Sequence, residues 1–151
     1  MQIEEIISVE RICLDQQLQS KKTVLEKLAS LLVTNNSNLS ACCIGDLFSS
    51  RERLGTTGLG GGVAIPHARI SSGEKARGAV LRTITPIDFD ALDDQPVDLF
   101  FALCVPEDCV NEHLDLLAKL AEAFSDSYFL EKLRKARNAD VFIQQLRENI
   151  S

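Results

Sequence analysis

Between Lys21 and Thr34, apolar residues fall at Val24, Leu25, Leu28, Leu31 and Leu32, a spacing that keeps one helical face apolar. Ser20 stands where such a helix would be capped, and Asn35-Asn36-Ser37-Asn38 closes it as a polar turn. Ser40 caps a second predicted helix that runs through Ile44, Leu47 and Phe48 to about Arg53. A different pattern follows. Ile12–Leu14, Val63–Ile65, Ala79–Thr85 and Val97–Val105 are short apolar runs without helical period, and each predicts a strand. The first suits an edge, whereas Val97–Val105 is nearly continuously apolar and predicts a central strand covered on both faces. Pro86 is expected to start a loop that ends at Gln95-Pro96. After Pro106, Leu114, Leu117, Ala118, Ala121 and Phe124 form a helical stripe that Asp108 or Asn111 would cap. Ser125-Asp126 interrupts, Tyr128–Arg137 is a further helix, and Asn138 caps a last one through Phe142, Ile143 and Leu146.

Two helices before the main strands and three after them predict an α/β layered fold. Residues 1–151 are expected to form a single domain, a mixed sheet of four or five strands with helices on both sides. The chain of 151 residues is long enough to bury a core without disulfide staples. Its five cysteines, an odd number with an adjacent pair at Cys42-Cys43, read as reduced thiols. Acidic residues follow Met1 where a signal peptide would carry bases, and no apolar run spans a bilayer, so a cytoplasmic location is expected. Cys104, Cys109 and His113 offer three donors where a closed zinc site wants four, so neither a metal nor a cofactor is expected.

Chemistry concentrates in one stretch, Gly55-Thr-Thr-Gly58-Leu-Gly60-Gly61-Gly62-Val-Ala-Ile-Pro66-His67. Glycines let backbone N–H groups converge on an anion, and Gly58, Gly60, Gly61 and Gly62 are the candidate phosphate loop. No Lys-Ser or Lys-Thr follows them, which excludes a P-loop, and Val63 stands where a dinucleotide fingerprint needs glycine. Pro66 fixes the backbone just before His67, one of only two histidines. Imidazole is mostly neutral at pH 7 and is then a competent nucleophile toward phosphorus.

Net charge is −6, which argues against nucleic acid as a partner. From Arg51 to Arg82, however, six bases face only Glu52 and Glu74, and this basic segment contains the glycine loop and His67. Arg51 and Arg53, two residues apart on a helix, point to different sides, so one of them is expected to serve an anion at the loop. His113 falls near the start of its helix, where anions are favoured, and also shares a face with Leu117 and Phe124. Both a site role beside His67 and a core-edge role fit that position. The residues by themselves suit a phosphoryl acceptor, a non-catalytic anion-sensing module, or a structural domain with a tight turn.

Taken together, Arg51, Gly55-Thr-Thr-Gly58-x-Gly60, Ala64-Ile-Pro66-His67, Pro86-Ile-x-Phe-Asp-Ala, Gln95-Pro96-Val97-Asp98, Phe101-Ala-Leu and Val105-Pro106 resemble a known family. It is the fructose/mannitol-type enzyme IIA domain of the bacterial phosphoenolpyruvate:sugar phosphotransferase system, and more narrowly its nitrogen-regulatory branch. The resemblance covers most of the chain. It implies a mixed sheet flanked by helices, and a phosphohistidine at His67, formed on Nε2 by an HPr-type carrier. It also implies an orienting role for His113, phosphate stabilisation by Arg51, and regulatory targets such as transporters or sensor kinases. A sugar-specific enzyme IIA that passes phosphate to a IIB domain is the alternative within the family. Two departures stand out: the run Gly60-Gly61-Gly62, where the family has a polar residue among its glycines, and Ala68-Arg69 after the histidine, where Gly-Lys is usual.

Overall fold

The structure, a computed structural model, describes residues 2–36 and 38–150. A short helix α1 (Ile3–Ile6) and a 3₁₀ turn (Val9–Arg11) lead into β1 (Ile12–Gln16). Helices α2 (Lys21–Leu32) and α3 (Ala41–Leu54) follow, then the short strands β2 (Gly58–Gly60), β3 (Val63–Ala64) and β4 (His67–Ile70). The long strands β5 (Arg77–Ile87) and β6 (Val97–Pro106) precede α4 (Val110–Phe124), α5 (Ser127–Lys135) and α6 (Ala139–Asn149).

The sheet has six strands, ordered β1-β5-β6-β3-β2, with β4 also paired to β6. It is mixed: β1 runs parallel to β5, β3 and β4 run parallel to β6, and β5 pairs antiparallel to β6. The sequence pattern predicts four or five strands. The excess comes from β2 and β4, whose three and four residues carry too little apolar pattern to announce themselves. Both are strands because neighbouring chain supplies their hydrogen bonds. Pro66 separates β3 from β4 yet does not break the edge, since its carbonyl accepts from Leu103 N–H (2.9 Å). Likewise Pro86 lies inside β5 and does not start the loop.

Strand β6 is central and buried throughout except at Asp98, as its composition predicts. Leu99, Phe101, Leu103 and Val105 point to one face, into a cluster with α1, α4, α5 and α6. Val97, Phe100, Ala102 and Cys104 point to the other, into a cluster with α2 and α3. The caps at Ser20, Ser40 and Asn138 form as expected, each side-chain oxygen accepting a first-turn amide. Helix α4 departs: its N-cap is Cys109, without a side-chain hydrogen bond, and neither Asp108 nor Asn111 fills that role. The predicted turn over residues 35–38 includes Ser37, which lies outside the described residues.

The glycine run turns β2 into β3. Gly60, Gly61 and Gly62 have φ of +102°, +68° and +83°, a region that penalises side chains. A Cβ on Gly62 would collide with Arg134 Nη2 and stand 3.1 Å from Asp98 Oδ1. These two residues form a bidentate ion pair over the turn. Gly62→Ala is therefore expected to destabilise the fold by about 2–4 kcal/mol. Gly73→Ala, at φ +96° but with open space around it, should cost only about 1 kcal/mol. Urea unfolding of the two variants checks the difference.

Candidate functional site

His67 opens β4 immediately after Pro66, at the point where the sheet edge resumes. Its Nδ1 lies 2.9 Å from the carbonyl oxygen of Ile65. A carbonyl only accepts, so Nδ1 carries the proton and Nε2 keeps the free lone pair. Arg51, near the end of α3, donates from Nε to that Nε2 at 3.3 Å and from Nη1 to Gly55 O at 2.7 Å. Of the two candidate arginines, Arg51 thus meets the histidine and Arg53 is exposed.

His113 comes from the first turns of α4 and is buried, 4% exposed. Its ring stands edge-on to His67, with centroids 5.3 Å apart and planes at 74°. Among the described residues its Nε2 has no hydrogen-bond partner although it is shut from solvent. A buried donor or acceptor left unpaired is costly in a fold. The structure brings Arg51 and His113 to His67 from two sides. Arg51 and His67 line a cavity of about 290 Å³ whose other walls include Thr56, Thr57 and Leu117, and His113 is buried behind the His67 ring.

The glycines stand differently from the expectation of an amide cradle. Gly58 N–H donates to Thr56 Oγ1 and Gly61 N–H to Asp93 Oδ2, while Gly61 O accepts from Arg134 Nη2. Gly60 and Gly61 border a separate apolar groove with Phe124 and Leu130. None of the three central glycines lines the cavity at His67, and its loop-side wall is Thr56, Thr57 and Leu59. Asp93 is held below the usual carboxylate range by the amides of Gly61 and Gln95, which keeps the turn's acceptor ionised.

Two positioning groups escape a reading of the sequence. The carbonyl of Ile65 sets the tautomer of His67, but a carbonyl carries no residue identity, and only Pro66 hints that this backbone is fixed. Glu52, its side chain 5% exposed, accepts from both the amide and the hydroxyl of Thr57 and pairs with Lys21 (2.9 Å). It ties the end of α3 to the wall of the cavity. Its position between two arginines gives no sign of that.

Burial pushes the pKa of His67 below its ordinary value, and the neighbouring Arg51 adds to the shift against the Ile65 hydrogen bond and Glu52. His113 is pushed down to about 4, by burial first and then by repulsion from His67 and Arg69. Both rings are neutral at pH 7. His113 is charged in an unfolded chain below pH 6.5 but resists protonation in the fold. Its contribution to stability is intact above 6.5, declines as pH falls, and is fully lost below about 4. That loss amounts to at most about 3 kcal/mol. His113→Gln should flatten the decline between pH 6.5 and 4 in urea titrations. An unchanged slope would refute the assignment.

Comparison with known proteins identifies relatives of the whole chain. Residues 5–149 match the family "Phosphoenolpyruvate-dependent sugar phosphotransferase system, EIIA 2". A nitrogen regulatory protein of Pseudomonas aeruginosa is 40% identical over 144 residues, covering 95% of this chain and 94% of that protein. A fructose-specific EIIA component of Haloferax volcanii is 33% identical over 136 residues, covering 90% and 88%. The crystal structure of nitrogen regulatory protein IIA-Ntr from Neisseria meningitidis superimposes with a TM-score of 0.90 at 42% identity, covering 95% of this chain and 98% of that one. The mannitol IIA of Escherichia coli shares the fold, with a TM-score of 0.77 at 20% identity over 93% and 98% of the two chains.

Proposed function

The chain belongs to the EIIA type 2 family of the phosphoenolpyruvate-dependent sugar phosphotransferase system, and from that premise we propose that it is a cytoplasmic phosphocarrier that takes a phosphoryl group on His67 Nε2 from an HPr-type protein. One observation carries the reading. Ile65 O engages Nδ1, so the lone pair of Nε2 is the one offered, and a guanidinium already stands against it.

In the reaction, the Nε2 lone pair attacks phosphorus in line while the P–N bond to the donor's histidine breaks and the donor ring leaves with that electron pair. The His67 ring becomes cationic, and its Nδ1–H, donated to Ile65 O, spreads the charge onto the carbonyl. Arg51 must leave Nε2 before attack. It then faces the phosphoryl oxygens, where a planar fork of donors suits a loose transition state. His113 Nε2, unpartnered in the resting site, donates to a phosphoryl oxygen once that oxygen arrives. The added negative charge opposes the burial and repulsion that hold His113 neutral, so its pKa should rise on phosphorylation.

Regulation of partner proteins is the role favoured for the phosphorylated or free form, because relatives that are 40% and 42% identical are nitrogen regulatory proteins. Phosphorylation adds roughly two negative charges beside Arg51 and Arg69, enough to change which partner surface fits. Transporters and sensor kinases are the classes of target in this reading. The sugar-uptake alternative rests on the fructose-specific relative, and it predicts rapid passage of phosphate to a IIB domain.

The test is intact-mass measurement after incubation with phosphoenolpyruvate, enzyme I and an HPr-type carrier. Wild type should gain one acid-labile phosphoryl group and His67→Ala none. Modification of the variant, or of neither protein beside a demonstrably charged carrier, would overturn the proposal.

A further inference from the structure

At the end of the sheet where β5 begins, a cleft of about 420 Å³ lies between the 3₁₀ turn, the end of α2 and the turn that leads into β5. Its volume is that of a small-molecule site. Arg77 stands level with Ala68 across β6, because both pair with Cys104. By the alternation of the pleat its side chain belongs to the face opposite His67. The phosphoryl-transfer reading makes no use of it.

Three cations, Arg11, Lys75 and Arg77, line the cleft, and among the described residues neither arginine is in an ion pair. Arg11 reaches in and spends Nε on Gly78 O (2.9 Å) and Nη2 on Ile6 O (2.9 Å). Arg77 spends Nη2 on Thr34 O (2.6 Å), and its Nη1 is shut from solvent with no acceptor among the described residues. The two guanidiniums are close enough that Arg77, after burial, holds the pKa of Arg11 below its ordinary value. Lys75 stands at the rim, exposed. Two carboxylates also border the cleft: Glu5 is exposed, and Glu74 accepts from Asn36 Nδ2 (3.2 Å). Among the described residues neither forms an ion pair with Arg11 or Arg77. Two half-buried guanidiniums line one cleft, Arg11 bonded to the carbonyl of Gly78 next to Arg77, and an anion between them would turn their repulsion into binding. Tetrahedral phosphate oxygens match such paired forks, with Lys75 as a third, mobile charge.

We propose that this cleft binds a small phosphate monoester, its phosphate between Arg11 and Arg77 and its organic part toward Gly73 and Lys75. The test is a titration of the full chain with glucose 6-phosphate and, separately, with inorganic phosphate, followed by backbone amide shifts. Arg51→Met is titrated in parallel to remove phosphate binding at His67. The ester should give saturable shifts at Gly73, Lys75 and Ala76 in both proteins. Arg77→Gln and Lys75→Gln should each raise its Kd about tenfold. Lys75 is exposed and among the described residues bonded to nothing, so that variant keeps the fold, and it should be phosphorylated on His67 at the wild-type rate. Shifts confined to the His67 cavity, no saturation, or cleft shifts indifferent to both substitutions would each overturn the proposal. Equal affinity for inorganic phosphate would overturn the assignment to an ester.

Discussion

Arg51→Met is expected to slow phosphoryl acceptance at His67 by about 10²–10³-fold, the usual loss when one preorganised donor to developing charge is removed. The expectation follows from position. Arg51 Nε is 3.3 Å from Nε2, and a phosphoryl group bound there must place its oxygens against the same guanidinium. The variant should fold, because Arg51 is only partly buried and its other contact is a single bond to Gly55 O. Arg51→Lys should recover the charge but not the planar fork, and so only part of the rate. A second readout separates this from a general loosening of the loop. Arg51 contributes to the depressed pKa of His67, so the histidine of the methionine variant should titrate higher. Single-turnover quench-flow with charged carrier and an NMR titration measure the two effects.

The largest effect on stability is expected at Arg82, far from the chemistry. The sequence groups Arg82 with the bases around the glycine loop, but it is 7% exposed and points to α5. Its Nη1 donates to the carbonyls of Leu133 (2.9 Å), Arg134 (3.2 Å) and Ala136 (2.8 Å). These carbonyls lie at the end of α5, where Leu133 O otherwise accepts only the cap amide of Ala136 at 3.4 Å, so one guanidinium closes a helix terminus from a strand of the sheet. Asp15 balances its charge from the surface at 3.0 Å. Arg82→Met fills similar volume but strands the buried carbonyls, and should cost about 3–5 kcal/mol in urea unfolding. Asp15→Asn should cost less than about 1 kcal/mol, because that carboxylate is 65% exposed. Similar losses for the two would mean that the ion pair, not the carbonyl cluster, carries the stability.

The two predictions show where the sequence is readable. Three of the caps are local matters, decided by Ser20, Ser40 and Asn138, and they form as the pattern predicts, whereas α2 and α5 each end two residues before the predicted limit, at Leu32 and Lys135. Strand β6 is readable because burial on both faces leaves an unbroken apolar run. Strands β2 and β4 are not, since their identity lies in hydrogen bonds to strands elsewhere in the chain. In the site, His67, His113 and Arg51 are named by motif, and the structure brings the three side chains together. The glycine run is legible as a place where the backbone turns with positive φ, but not as to what it turns around. Asp93 and Arg134 take up Gly61 from elsewhere in the sequence, and nothing near Gly61 announces them. Arg82 gives no hint of its burial, because a lone arginine in a strand reads as an outward charge until its face is known.

The measurement that bears most directly on the account is heteronuclear NMR of the chain after phosphorylation by charged carrier, with ¹⁵N in the histidine rings. Phosphorus coupling at His67 Nε2, with Nδ1 still protonated against Ile65 O, is the predicted result. Coupling at Nδ1 of His67, or at either nitrogen of His113, would contradict the reading of the site on which the proposed function rests.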